Sequence, residues 1–286
     1  MTRNFLGILP LFLVLVGCSP TPIGPPTGVA IPPPIEPGGN FDPVRTGTLS
    51  GRVTWLGDVP QVPKLDAVRT EGGENPLAPK VNAKNQGVAG AVVFLRNLDP
   101  AIGRPWDLPT VRVEFDSQAI RVISGNGEPR AVGFVRRGDS VAMASTQTGH
   151  RMLRARGAAF FTLPFPEPGQ PLNRSFDRPG WVSLSSGSGE FWEVAELFVC
   201  DHPYYTLTDS DGAFTLPQVP FGERELVVWA RNWNVIGRDR SPETGIVTRV
   251  QFAEPVEKSV RVTVGERSEP VNVTFSTDDF TRPVSR

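Results

Sequence analysis

The chain has 286 residues with 29 basic and 30 acidic side chains, a formal net charge of −1. That balance argues against nucleic acid as a general partner. The length is ample for two domains.

The first 18 residues read as a signal peptide: Arg3 supplies a short positive region and Phe5 to Val16 an apolar run. That run is shorter than the about 20 apolar residues a membrane-spanning helix needs. Leu15-Val16-Gly17-Cys18 resembles a bacterial lipobox. The resemblance implies cleavage between Gly17 and Cys18, acylation of Cys18, and a membrane partner reached through that lipid anchor. Several acyl chains, at about 0.8 kcal/mol per buried CH2, hold a protein on a membrane far more firmly than one. The expected location is the cell envelope, on the outer-membrane or periplasmic face or the cell surface. An ordinary signal peptide with an incidental cysteine is the alternative. Residues 19–46 hold nine prolines interspersed with glycine, which suits an extended tether and no core.

From Gly47 onward the pattern is strand-like. Gly47–Trp55 alternates apolar and polar positions, and Ala89–Arg96 is a buried-strand run. Residues 60–88 between them are polar and proline-rich and read as a long loop. Further strands are expected at 110–116, 131–136, 140–145, 158–163, 180–184, 192–200, 204–208, 213–216, 224–230, 248–252, 258–264 and 270–276. No segment sustains a 3.6-residue apolar period, so the expected class is all-β, built as sandwiches or barrels. With Cys18 acylated, Cys200 has no intrachain partner; after Leu197-Phe198-Val199 it reads as a buried, inert thiol.

Thr208-Asp-Ser-Asp-Gly-Ala-Phe-Thr-Leu, Pro220-Phe-Gly and Glu225-Leu-Val-Val-Trp make two strands, with Asp211-Gly212 and Gly222 at the turns. This pattern resembles the carboxypeptidase regulatory-like, or transthyretin-like, β-sandwich. Gly47–Trp55 and Ala91–Leu95 resemble the first two strands of that family. The third comes only after residue 200, which implies an insertion. The expected sandwich is 47–100 plus 203–278, with an insert at 105–200 and a tail at 279–286. Asp201-His-Pro-Tyr adds a resemblance to bacterial exported proteins in which a plastocyanin-like domain directly precedes such a sandwich. It implies that the insert is a cupredoxin-like Greek-key barrel or sandwich.

Within the insert, Val132 to His150 resembles the cupredoxin strand–turn–strand, with Gly138-Asp-Ser-Val at the turn and His150 at the first copper histidine. A blue-copper site needs a thiolate, two imidazoles and usually a weak thioether. The family's Cys-x-x-His-x-x-Met positions fall here on Gly187, Glu190 and Glu193, and the surrounding Ser183–Glu193 holds no Cys, His or Met. The copper site is therefore expected to be gone, with no metal and no cofactor. Three readings of His150 stay open: a histidine left on a degenerate scaffold, a rebuilt metal site with Glu190 and Glu193, or neighbouring ion pairs of Arg151 or Arg154 with those glutamates. His202 is expected to pack at the junction of the two domains, and Ala230 stands where the family commonly has a further histidine. Seven arginines (Arg121, Arg130, Arg136, Arg137, Arg151, Arg154, Arg156) face only Glu128 and Asp139 in the same stretch. Gathered on one face they suit anionic lipid, acidic glycan or an acidic protein; the alternative is scattered solvated charge.

Enzyme signatures are missing. Any Ser-His-Asp arrangement needs His150 or His202, and there is no Gly-x-Ser-x-Gly elbow, His-Glu-x-x-His, P-loop or dinucleotide fingerprint. No catalytic residue is assigned. The expected role is a non-enzymatic binding or structural module for an envelope protein or glycan, with Trp181, Phe191 and Trp192 as candidate contacts. Two alternatives are an electron-transfer or metal-handling protein built around His150, and a carbohydrate-binding accessory module.

Overall fold

The structure is a computed structural model that describes residues 38–65, 74–116, 119–149, 151–187, 192–240, 242–243, 245 and 247–281. Gly17, Cys18, His150, Glu190 and Phe191 lie outside the described residues.

Among the described residues, twenty strands, two short 3-10 helices and one short α-helix make up the regular structure. The chain opens with β1 (Thr46–Trp55), β2 (Lys80–Val81), β3 (Val88–Ala89) and β4 (Val92–Arg96). Next come β5 (Val111–Phe115), β6 (Ile120–Ser124), β7 (Val132–Arg136), β8 (Ser140–Ser145) and β9 (Arg151–Gly157). They are followed by β10 (Phe161–Phe165), β11 (Leu172–Ser175), β12 (Gly180–Ser186) and β13 (Val194–Cys200). The last set is β14 (Tyr205–Leu207), β15 (Ala213–Pro220), β16 (Gly222–Ala230), β17 (Val235–Arg240), β18 (Val247–Phe252), β19 (Val256–Val264) and β20 (Val271–Phe275), then helix α1 (Thr277–Thr281). The protein is all-β.

Two sheets draw only on the ends of the chain. One has the order β15-β1-β20 and the other β14-β4-β16-β19. Their facing sides bury Leu49, Val53, Leu95, Leu216, Leu226, Val228 and Phe275. β1 is central in its sheet, antiparallel to β15 and parallel to β20. A Cβ on Gly51 would sit 1.9 Å from the Val271 carbonyl oxygen, so only glycine lets β20 approach. The Asp209–Gly212 turn runs through Gly212 at φ 76, and Gly222, at φ 112, starts β16 where the chain passes from one sheet to the other, so both glycines occupy the left-handed region their place in the sequence suggested.

Two other sheets are built wholly from the middle of the chain, with orders β11-β8-β5-β6 and β10-β9-β12-β13-β7. Between them lie Val113, Phe115, Met143, Leu153, Phe165, Leu184 and Leu197. Phe115 meets Phe165 edge to face with ring centres 5.0 Å apart. Each such ring contributes about 1.5–3 kcal/mol on burial. Both sheets are open. Of the barrel or sandwich expected of the insert, barrel closure is not found among the described strands, which form two separate sheets.

Other departures have identifiable causes. The strand expected at 158–163 straddles a hairpin turn: β9 ends at Gly157 (φ 109) and β10 starts at Phe161. The apolar run Ala158–Phe161 suggested a strand, yet Phe160 is 85% exposed. β9 itself was hidden by its arginines, of which Arg154 and Arg156 occupy the face away from Leu153 and Ala155. β6, β11 and β17 were not expected as strands, and the expected loop 60–88 contains β2 and the start of β3. Helix α1 crosses the expected boundary of the tail at 279, and its Phe280 is buried among Trp55, Trp233 and Phe275.

The Asp201-His-Pro-Tyr segment joins the two halves. Asp201 pairs with Arg137 at 3.1 Å, and the His202 ring is buried beside Tyr204 and Tyr205. Removal from water lowers the His202 pKa to about 4. The Pro203 carbonyl accepts from Arg104, whose guanidinium also pairs with Asp107. The Tyr204 hydroxyl accepts from the Arg104 backbone and donates to the Gln218 carbonyl. Beside this latch a third apolar cluster holds Val92, Phe94, Val227 and Trp229 against Val132, Phe198 and Cys200. The outer face of β4–β16 therefore packs on the outer face of β7–β13.

Candidate functional site

Where that packing ends, the same outer face of the five-stranded sheet continues as the floor of a cleft of about 400 Å³. The floor follows from the two-residue period of its strands. On β9, Leu153 and Ala155 point into the core, so Arg154 and Arg156 point into the cleft. On β12, Val182 and Leu184 are core, which turns Trp181, Ser183 and Ser185 outward. Strand register then sets the neighbours: Ser183 lies between Arg156 and Glu196, and Ser185 between Arg154 and Val194. The opposite wall comes from the far end of the chain. Arg231 and Asn232 follow β16, and Arg249 and Gln251 stand on β18.

Four guanidinium groups thus border one cleft. No carboxylate of the described residues forms an ion pair with Arg154, Arg156 or Arg231, while Arg249 has Asp239 at 3.7 Å. The pKa of Arg249 is lowered by burial first and then by Arg156, with Arg154 adding to the effect and Asp239 opposing it. Burial also lowers that of Arg231, against the attraction of Glu196.

Glu196 is the carboxyl in the cleft floor, 5% exposed. Burial raises its pKa to about 8, against the opposing pull of Arg231 and a hydrogen bond from the Trp181 indole, with Glu254 adding a smaller upward push. A value near 8 favours the neutral acid at pH 7, so Glu196 adds little negative charge to a cleft whose other carboxylates are Glu254 in the lining and Asp239 beside Arg249. Trp181 is braced from behind by Trp229, ring centres 6.0 Å apart.

The residues singled out from the sequence end up in different places. Glu193 is fully buried, and its Oε1 accepts from Arg151 at 2.5 Å, which is one of the ion pairs considered for this loop. His150 and Glu190 lie outside the described residues. Gly187 packs against Met152 and donates its N–H to the Met152 carbonyl. Cys200 is buried with its thiol donating to the Phe198 carbonyl, and burial holds that thiol well above its ordinary range. Gly187 offers no side-chain ligand, Cys200 belongs to the apolar seam and His202 to the junction. These described residues do not fit a blue-copper donor set. Among the described residues no three His, Cys, Asp or Glu side chains gather as a metal site.

The arginine-rich stretch divides. Arg121, Arg137 and Arg151 pair with Asp116, Asp201 and Glu193, whereas Arg154 and Arg156 face the cleft. Sequence reasoning missed Arg231, Arg249 and Glu196. Only the alternation Arg154-Ala155-Arg156 signalled a charged strand face; nothing local shows that β18 lies opposite. Trp181, one of three candidate aromatic contacts, lines the cleft.

No family model matches the chain, and no curated protein or solved structure matches it either. No helix among the described residues is long and apolar enough to cross a membrane.

Proposed function

We propose that this chain is a cell-envelope lipoprotein, anchored through Cys18, that acts as a non-enzymatic binding module with the Arg154–Arg156–Arg231–Arg249 cleft as its site. In this reading a transthyretin-like sandwich (47–100 and 203–278) carries a cupredoxin-like insert (105–200) that has given up copper. The proline-rich 19–46 segment is read as the link between the lipid anchor and the module. The observation that carries the reading is the cleft: four cations, drawn from both halves of the chain, around a buried carboxyl whose pKa is raised by burial to about 8. Gathering like charges costs free energy that an anionic ligand recovers. Guanidinium forks bind carboxylates in bidentate fashion, which gives direction as well as charge.

The test is titration of the full chain in detergent with an acidic polymer at several salt concentrations. Binding should weaken as salt rises, because exposed charges are screened. The double substitution Arg156→Glu and Arg249→Glu should lower affinity at least about tenfold, roughly 1.4 kcal/mol. Both side chains are partly or fully exposed, so the fold should tolerate the change. Unchanged affinity in the double variant would sink the assignment of the cleft.

A further inference from the structure

We infer that the cleft takes a short run of a uronic-acid-bearing polysaccharide, a deepening that rests on the anion-binding reading above. Three features of the cleft favour a carboxylated sugar over other anions.

The first is Trp181. Its indole N–H is held by Glu196 and its ring is backed by Trp229, so a rigid aromatic surface borders the cations. The C–H face of a pyranose packs on such a ring, and apolar surface beside convergent polar groups is the usual make-up of a small-ligand site. An acidic peptide brings carboxylates but no flat apolar face of matching shape.

The second is the alternation of hydroxyl and guanidinium groups. Ser183 and Ser185 stand next to Arg156 and Arg154 across the β9–β12 ladder. Each serine both donates and accepts, as sugar hydroxyls do. Arg154 and Arg156 are two residues apart on one strand, about 6.6 Å along it, and so present two successive carboxylate sites.

The third is Glu196, whose carboxyl lies in the floor beside Ser183. Phosphate is best served by donors on every side. A carboxyl there offers at most one donated proton where phosphate would want several donors. A hydroxyl-bearing sugar accepts a hydrogen bond from the acid or donates to its oxygen. The cleft volume of about 400 Å³ falls in the range of about 300–1,000 Å³ usual for small ligands. It admits a short segment of polymer and not a folded protein face.

The experiment is calorimetric titration of the full chain in detergent with trigalacturonate, its methyl ester, tripolyphosphate and polyglutamate. The inference expects trigalacturonate to bind, and its methyl ester to lose at least about tenfold in affinity. Trp181→Ala and the pair Arg154→Ala with Arg156→Ala should each lose a similar factor, with near-ultraviolet circular dichroism reporting whether each variant is folded. Arg154 and Arg156 line the cleft and leave the core untouched, so that pair remains informative even if Trp181→Ala unfolds. Equal or tighter binding of tripolyphosphate or polyglutamate would overturn the polysaccharide inference while leaving the anion cleft in place. Binding of none of the four would overturn both.

Discussion

The Tyr204 hydroxyl is tied to two segments far apart in sequence, the Arg104 backbone and the Gln218 carbonyl. Removing a hydroxyl from a buried site leaves both partners short of a bond, at a cost of about 1–3 kcal/mol. Tyr204→Phe should lower the urea midpoint by that amount of stability without changing the fold. Glu196 acts through protonation. Its folded-state pKa, about 8, is raised above the ordinary value of 4.5. The folded chain thus binds more protons than the unfolded chain between those limits. The contribution to stability is fully present below about 4.5 and is lost as pH rises through about 8. Glu196→Gln should remove that slope, and the gap in stability between variant and wild type should widen in favour of the variant toward pH 9. Parallel stability curves for the two proteins would show that Glu196 is ionised in the fold.

At the scale of elements, β9 shows what the sequence could and could not reveal. Leu153 and Ala155 alternate with Arg154 and Arg156, a half-buried strand pattern, but three arginines in seven residues mask its apolar half. Strands with clear alternation or long apolar runs, such as β1, β8 and β16, were legible. So were the glycine turns at Gly212 and Gly222, because a left-handed backbone needs a residue without a side chain. β11, edge-placed and largely exposed, carries almost no apolar signal. The cleft was only half legible. Its Arg154–Arg156 side can be read along one strand, whereas Arg231 and Arg249 meet it through long-range packing that no local pattern encodes. The Glu193–Arg151 pair bears on metal chemistry in this loop: a ligating Glu193 would first have to give up that buried partner. Loading the full chain with copper(II), with His150→Ala alongside, should give no stoichiometric metal and no charge-transfer band. One metal per chain, lost in His150→Ala, would instead establish a rebuilt metal site.

For the molecule as a whole, the chain's order accounts for the cleft. β4 and β16 belong to one pair of sheets and β9, β12 and β13 to the other, and the apolar seam around Phe94, Phe198 and Trp229 presses the two together. The latch at Asp201–Tyr204 holds the same junction. The cleft opens where the seam stops and cations replace aromatic rings, so its geometry depends on both halves being in place. That dependence was beyond the sequence, in which nothing local shows which faces would meet. The most direct test is hydrogen–deuterium exchange of the full chain with and without trigalacturonate. Added protection is expected in 151–157, 180–186 and 231–252, the strands and segments that border the cleft. Protection confined to other segments, with these three unchanged, would contradict it.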